Sequence, residues 1–225
     1  YHLEKSRKEG WDKGITVIPT GVGKTILAAF DSKPYKRVLF VAHREEILIQ
    51  AEQAFQKVRG SGKYGFFYGD KKDDDCEVLF ATVQTLGKAE YLCDKCFPRD
   101  YFDYVIVDEF HHAAADTYKR IIRYFKPKFL LGLTATPDRL DDKNIYEICD
   151  FNVVYDVRLK EAVNKGWLVP FRYYGIYDCT VNYDNISYVH GKYDEEELEK
   201  ELMIPQRGDL VYHNYSKYNC KRALA

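Results

Sequence analysis

The chain has 225 residues, 46% hydrophobic and 31% charged, with a formal net charge of −1. That length holds one large domain, or one domain plus part of another, and the composition is ordinary for a soluble globular protein. Near-neutrality excludes a global basic field aimed at nucleic acid while leaving room for a local basic patch, and no run approaches the roughly 18 apolar residues of a membrane span.

The first ten residues, "YHLEKSRKEG", lack the apolar stretch of a signal peptide. Six cysteines are scattered along the chain and read as reduced thiols of a cytoplasmic protein. The first strand is expected over 14–19, "GITVIP", and runs into "IPTGVGKT". Strand, glycine-rich turn, Lys-Thr and then helix is the arrangement of a phosphate-binding loop. Thr20, Gly21, Val22 and Gly23 would curl so that successive N–H groups face an anion. The helix that follows would present its N-terminus to the same phosphates. Lys24 supplies a point charge for β- and γ-phosphates, and Thr25 a hydroxyl for Mg²⁺. Ile18 stands where the general pattern has glycine.

A second strand is expected over 37–43, followed by a helix whose apolar face is Ile47, Ala51, Ala54, Phe55 and Val58. A third spans 77–83. "CDKC" at 93–96 lacks the second cysteine pair of a zinc ribbon and reads as a loop with two free thiols. The fourth strand, 104–110, ends in charge: Asp108 and Glu109, then His111 and His112. Ala114, Tyr118, Ile121, Ile122 and Phe125 form another helical face, and 129–136, "FLLGLTAT", is the fifth strand. These strands are apolar nearly throughout instead of alternating, as suits a parallel sheet covered on both faces. Strand–helix alternation gives an α/β fold.

Ligands of a parallel sheet sit at the carboxyl ends of its strands. The loop at 18–25 and the acidic pair at 108–109 should therefore meet at one edge. Asp108 then fits a Mg²⁺-holding carboxylate, and Glu109 the base that orients the attacking water. A solvated acidic turn is the plain alternative. A zinc site from adjacent histidines is disfavoured, since neighbours in an ordinary strand or helix do not converge on one ion.

After Pro137 the texture changes. "DVRLKEAVNKGW" reads as a helix stopped by Gly166, "LVPFRYYGIYD" as a strand entering a different region, and 193–202 as an acidic helix with a solvated face. "KRALA" at 221–225 reads as the beginning of a strand cut by the end of the chain.

With "PTGVGKT", "DEFHH" and "LGLTATPDR" in that order, the chain resembles the superfamily 2 helicases and translocases, in particular those with a type III restriction enzyme Res-subunit-like ATPase domain. The resemblance covers roughly residues 14–170. It implies a three-layer RecA-like P-loop NTPase domain with a mostly parallel sheet over 1–170, and a connecting segment over 171–225 that leads into a truncated second RecA-like domain. "DEFH" matches the D-E-x-H motif, so Lys24, Asp108, Glu109 and His111 would be the catalytic set, with His111 relaying nucleotide state. Thr134, Ala135 and Thr136 match the motif that couples ATP turnover to movement on nucleic acid. "VAHREEILIQ" and "ATVQTL" look like nucleic-acid motifs: His43, Arg44, Thr82, Gln84 and Thr85 would touch backbone phosphates without reading bases. A plain loop with a helix cap is the alternative for each.

The implied function is an ATP- and Mg²⁺-dependent motor domain acting on nucleic acid, DNA in preference to RNA, beside a second RecA-like domain of the same full-length chain and with no membrane partner. The arginine-finger motif of that second domain and the upstream glutamine-bearing adenine motif are not visible; Arg139 is the one local substitute considered. The competing reading is a P-loop module of another class, kinase-like or a non-catalytic assembly ATPase. A GTPase would carry N-K-x-D, and "NKGW" at 164–167 lacks the aspartate.

Overall fold

The computed structural model describes residues 1–137, 145–189 and 191–218. Arg139 and the "KRALA" run lie outside the described residues. The chain divides into two compact units, Tyr1–Pro170 and Phe171–Ala225.

In the first unit the elements run α1 (His2–Lys8), β1 (Lys13–Val17), α2 (Lys24–Asp31), β2 (Val38–Ala42), α3 (Glu45–Arg59), β3 (Tyr64–Tyr68), β4 (Lys71–Lys72), β5 (Val78–Thr82), α4 (Val83–Leu86), β6 (Tyr104–Val107), a 3₁₀ turn (Phe110–His112), α5 (Asp116–Tyr124), β7 (Phe129–Thr134), β8 (Val153–Asp156) and α6 (Leu159–Asn164). The strands form one eight-stranded sheet in the order β4-β3-β5-β2-β6-β7-β1-β8. Every neighbouring pair is parallel except β3 with β4.

Alternate residues explain the unbroken apolar runs. In β2, Leu39 and Val41 enter one core with Val105, Val107, Phe110 and Ile121, while Val38, Phe40 and Ala42 enter another with Ala28, Leu48, Ala51 and Phe55. Helices therefore cover both faces, and the architecture is the three-layer α/β/α sandwich expected of a RecA-like domain. Rings such as Phe40, Phe55 and Phe80, all at 0% exposure, each contribute roughly 2–3 kcal/mol through burial. α1 is tied in by Arg7, whose guanidinium donates to both oxygens of Asp31 at 2.7 and 2.8 Å, while the Tyr104 hydroxyl donates to Asp31 at 2.5 Å.

In the first unit three strands carry no expectation from sequence: β3, β4 and β8, all towards the sheet edges. β6 ends at Val107, short of the expected 110, because Glu109 adopts a left-handed backbone (φ 50°, ψ 50°) that leaves the sheet. α6 ends as expected, with Gly166 at φ +70° just beyond it. The strand read in "LVPFRYYGIYD" is not formed: it has no partner strand, and Val169, Phe171, Tyr173 and Tyr177 are exposed. In the second unit the acidic helix is present as α7 (Glu195–Leu202), capped by Asp194, whose side chain accepts from the Glu197 N–H at 3.0 Å. Among the described residues no helix is long and apolar enough to cross a membrane.

Candidate ATPase site

Register places the motif residues. Ile15, Gly132, Val107, Val41 and Ala81 lie on one line across β1, β7, β6, β2 and β5. One to three residues further, at the carboxyl edge, each strand delivers a motif: Ile18, Thr134, Asp108 with Glu109, His43, and Thr82.

At the end of β1 the chain stays on the ladder one residue longer, the Ile18 N–H donating to the Thr134 carbonyl at 2.9 Å. Ile18 is 4% exposed, so its side chain belongs to the core. The curl begins after it. Gly21 (φ +90°) and Gly23 (φ +99°) adopt backbone conformations that a side chain would strain, and Gly23 caps α2. Lys24 and Thr25 open that helix, whose first-turn N–H groups have no acceptor within it. A loop of this shape presents backbone donors and one ammonium to an anion.

Asp108 is 6% exposed, and its N–H donates to the Val41 carbonyl at 2.9 Å. Its Oδ1 is buried with no hydrogen-bond partner. Burial, and then the neighbouring Glu109 charge, push its carboxyl up to about 6, against the pull of Lys24 and the Glu109 N–H. A buried carboxylate with an orphaned oxygen, within electrostatic range of the Lys24 ammonium, is what a cation would satisfy. Mg²⁺ takes one or two protein ligands and completes its shell with phosphates and water. Asp108 and Thr25 fit that demand. Among the described residues no group of three or more His, Cys, Asp or Glu is arranged to hold a metal alone.

The left-handed turn at Glu109 brings its Oε2 to 3.2 Å from His111 Nδ1, and the same Nδ1 lies 3.3 Å from Thr134 Oγ1. Thr134 Oγ1 also accepts from the Thr136 N–H at 3.2 Å. Thr134 thus meets the partner of the Glu109 carboxylate, His111. The turn is seated by Phe110, whose ring lies against Gly132: a Cβ there would stand 2.6 Å from the ring.

His43, Arg44, Thr82, Gln84 and Thr85 line one open cavity of about 880 Å³, next along the same edge. Gln84 Nε2 donates to the His43 carbonyl at 3.1 Å, and the Thr82 and Thr85 hydroxyls are 3.0 Å apart. Glu45 and Glu46 occupy the first turn of α3 and oppose an anion at its N-terminus. Arg44, exposed at the cap, is the cation present.

Two further residues stand beside the site without a role assigned from sequence. His112 bridges the clusters: its ring centroid is 4.1 Å from His111 and 5.5 Å from His43. Tyr118, read as an apolar helix position, keeps its hydroxyl buried without a partner, its acidity suppressed by burial and then by the charges of Asp108 and Glu109. No local pattern signals either one.

The fold and the site define a RecA-like P-loop ATPase domain of the superfamily 2 helicase type. Residues 1–139 match the family described as "Type III restriction enzyme, res subunit", and the chain belongs to that family. It is 26% identical to the type I restriction enzyme EcoAI endonuclease subunit of Escherichia coli, over 93% of this chain and 28% of that protein. It is 27% identical to the DNA 3'-5' translocase XPB2 of Sulfurisphaera tokodaii, over 78% of this chain and 39% of the relative. Among solved structures, the Pyrococcus furiosus Hef helicase domain superposes with a TM-score of 0.58 at 22% identity, over 69% of this chain and 37% of that one, which is a likeness of fold. The chain thus spans well under half the length of these proteins.

Proposed function

We propose that Tyr1–Pro170 is the first motor domain of a DNA-dependent ATPase, and that Phe171–Ala225 begins the connection to a second RecA-like domain. ATP with Mg²⁺ is held by residues 20–25 and Asp108. Lys24 neutralises the β- and γ-phosphates, and Thr25 and Asp108 take the metal, which when bound spreads the charge of those phosphates. Glu109, oriented by His111, positions and deprotonates the attacking water. Thr134, Ala135 and Thr136 pass nucleotide state onward, and His43, Arg44, Thr82, Gln84 and Thr85 hold the DNA backbone. The observation that carries this reading is the arrival, at one sheet edge, of the phosphate loop and the buried Asp108 carboxylate, whose Oδ1 has no hydrogen-bond partner.

None of residues 20–25, 108–111 and 134–136 is an arginine, and an arginine finger is worth about 10³–10⁵ in rate. The second domain is proposed to supply it. The test is ATP turnover with and without DNA, on the full-length protein and on this chain alone. The full protein should be stimulated and the chain alone should bind ATP while turning over slowly. Robust DNA-stimulated turnover by the chain alone would overturn the half-site. Failure of the full protein to hydrolyse ATP would favour the non-catalytic assembly module.

A further inference from the structure

The loop between α4 and β6 carries the Cys93-x-x-Cys96 pair, which nothing in the ATPase site uses. The Cys96 N–H donates to the Cys93 carbonyl at 3.1 Å and the Phe97 N–H to the same oxygen at 2.9 Å. Such a turn keeps its first and last Cα atoms within about 7 Å, close to the span a disulfide bridges. Both sulfurs lie on one side of it: Cys93 Sγ is 3.2 Å and Cys96 Sγ 3.5 Å from the Glu90 carbonyl, and the two thiols are within hydrogen-bond reach of each other.

The turn is anchored. Phe97 is 1% exposed and packs on Phe67 and Phe102 at 5.4 and 5.6 Å, and its carbonyl accepts from the Tyr124 hydroxyl at 2.9 Å. The thiols remain accessible, Cys93 half-buried and Cys96 exposed. The Cys96 N–H, then the Cys96 thiol and the Lys95 N–H, hold the Cys93 thiol below its ordinary range. Burial does the reverse elsewhere, pushing Cys76 and Cys149 up to about 12.

We propose that Cys93 and Cys96 form a dithiol site for thiol–disulfide exchange, taking a small organic disulfide such as glutathione disulfide as substrate. Cys93 loses its proton to solvent, and its sulfur attacks one sulfur of the disulfide. That S–S bond breaks, and one thiolate leaves and takes up a proton. Cys96 then loses its proton and attacks Cys93 Sγ, expelling the second thiolate. The protein dithiol is oxidised by two electrons, and one disulfide is reduced to two thiols. Cys93 is the attacking sulfur because the donors around it stabilise its thiolate; Cys96 is released to react once Cys93 no longer accepts its hydrogen bond.

The geometry makes a mass measurement decisive, because trypsin cuts at Lys95, between the two cysteines. Reduced full-length protein is treated with glutathione disulfide, quenched with N-ethylmaleimide and digested. The expected product is peptide 89–95 joined to peptide 96–99, a species that separates on reduction. Cys93→Ser should abolish it. Cys96→Ser should leave a persistent glutathione adduct on Cys93, formed at least several-fold faster than the adduct on the exposed Cys179. Adducts accumulating at equal rates on Cys93, Cys96 and Cys179 of the unsubstituted protein, with no linked peptide, would overturn the proposal. So would linkage of Cys93 only to a cysteine other than Cys96. The unsubstituted protein gives the answer whether or not either variant folds.

Discussion

His111 Nδ1 lies 3.3 Å from Thr134 Oγ1 while also lying 3.2 Å from Glu109 Oε2, so one ring nitrogen joins the acidic pair after β6 to the threonine pair after β7. The Thr134 hydroxyl passes the contact on to the Thr136 N–H. Thr134→Val keeps the shape and removes the hydroxyl from a fully buried position. A lost neutral hydrogen bond is worth about 1 kcal/mol. ATP affinity should change by less than about threefold, whereas DNA stimulation of turnover should fall by about fivefold or more. Parallel titrations of nucleotide and DNA check this; an equal loss in both would mean that Thr134 is merely structural.

Lys24 and Glu109 should separate binding from turnover. Lys24→Ala removes the ammonium of the phosphate loop, and ATP binding should be lost in equilibrium titrations. Glu109→Gln leaves the loop intact, so ATP should still bind, while the full-length protein slows by about 10²–10⁴. A Glu109→Gln variant with unchanged turnover would place the base elsewhere.

Asp108 should make stability depend on pH. Its folded-state carboxyl is raised to about 6, above the ordinary 3.8 of the unfolded chain. The fold therefore favours the protonated form. That contribution is fully present below about pH 4 and is lost as pH rises through about 6. Asp108→Asn cannot ionise. In metal- and nucleotide-free buffer it should be more stable than the unsubstituted protein at pH 7.5, by up to about 3 kcal/mol. The gap should close towards pH 4.5. Melting curves across that range decide the matter: a constant difference would show that the buried charge is not its origin.

Gly132 seats the turn carrying Glu109 and His111 through Phe110. The Cβ of Gly132→Ala would meet that ring at 2.6 Å. Overpacking of this kind costs about 1–3 kcal/mol. The melting temperature should drop by several degrees, and turnover should fall with it, because the displaced ring carries Glu109 and His111. Recovery of both by Phe110→Leu in the same chain would confirm the steric origin.

Arg44 is an exposed cation of the cavity proposed to hold DNA, set against Glu45 and Glu46. Arg44→Ala in the full-length protein should weaken DNA binding to similar extents across sequences and reduce the slope of log affinity against log salt by about one. A loss confined to one base sequence would indicate base reading.

Much of the site was legible along the chain. "TGVGKT", "DEFH" and "TAT" are local strings whose chemistry follows from residue type, and β1, β2, β5, β6 and β7 are apolar nearly throughout because both of their faces are covered. The edge strands were not legible, since β4 is two residues long and β8 is only half-buried. The strand read over "LVPFRYYGIYD" failed because an apolar pattern makes a strand only where another strand is available to pair with it. Tertiary structure alone decided that β7 lies between β1 and β6, that the Ile18 ladder reaches Thr134, and that His112 and Tyr118 stand beside the acidic pair. Residue type sets what a side chain can do. Strand order and register set what it meets, and these depend on packing between segments far apart in the chain, which no local pattern encodes.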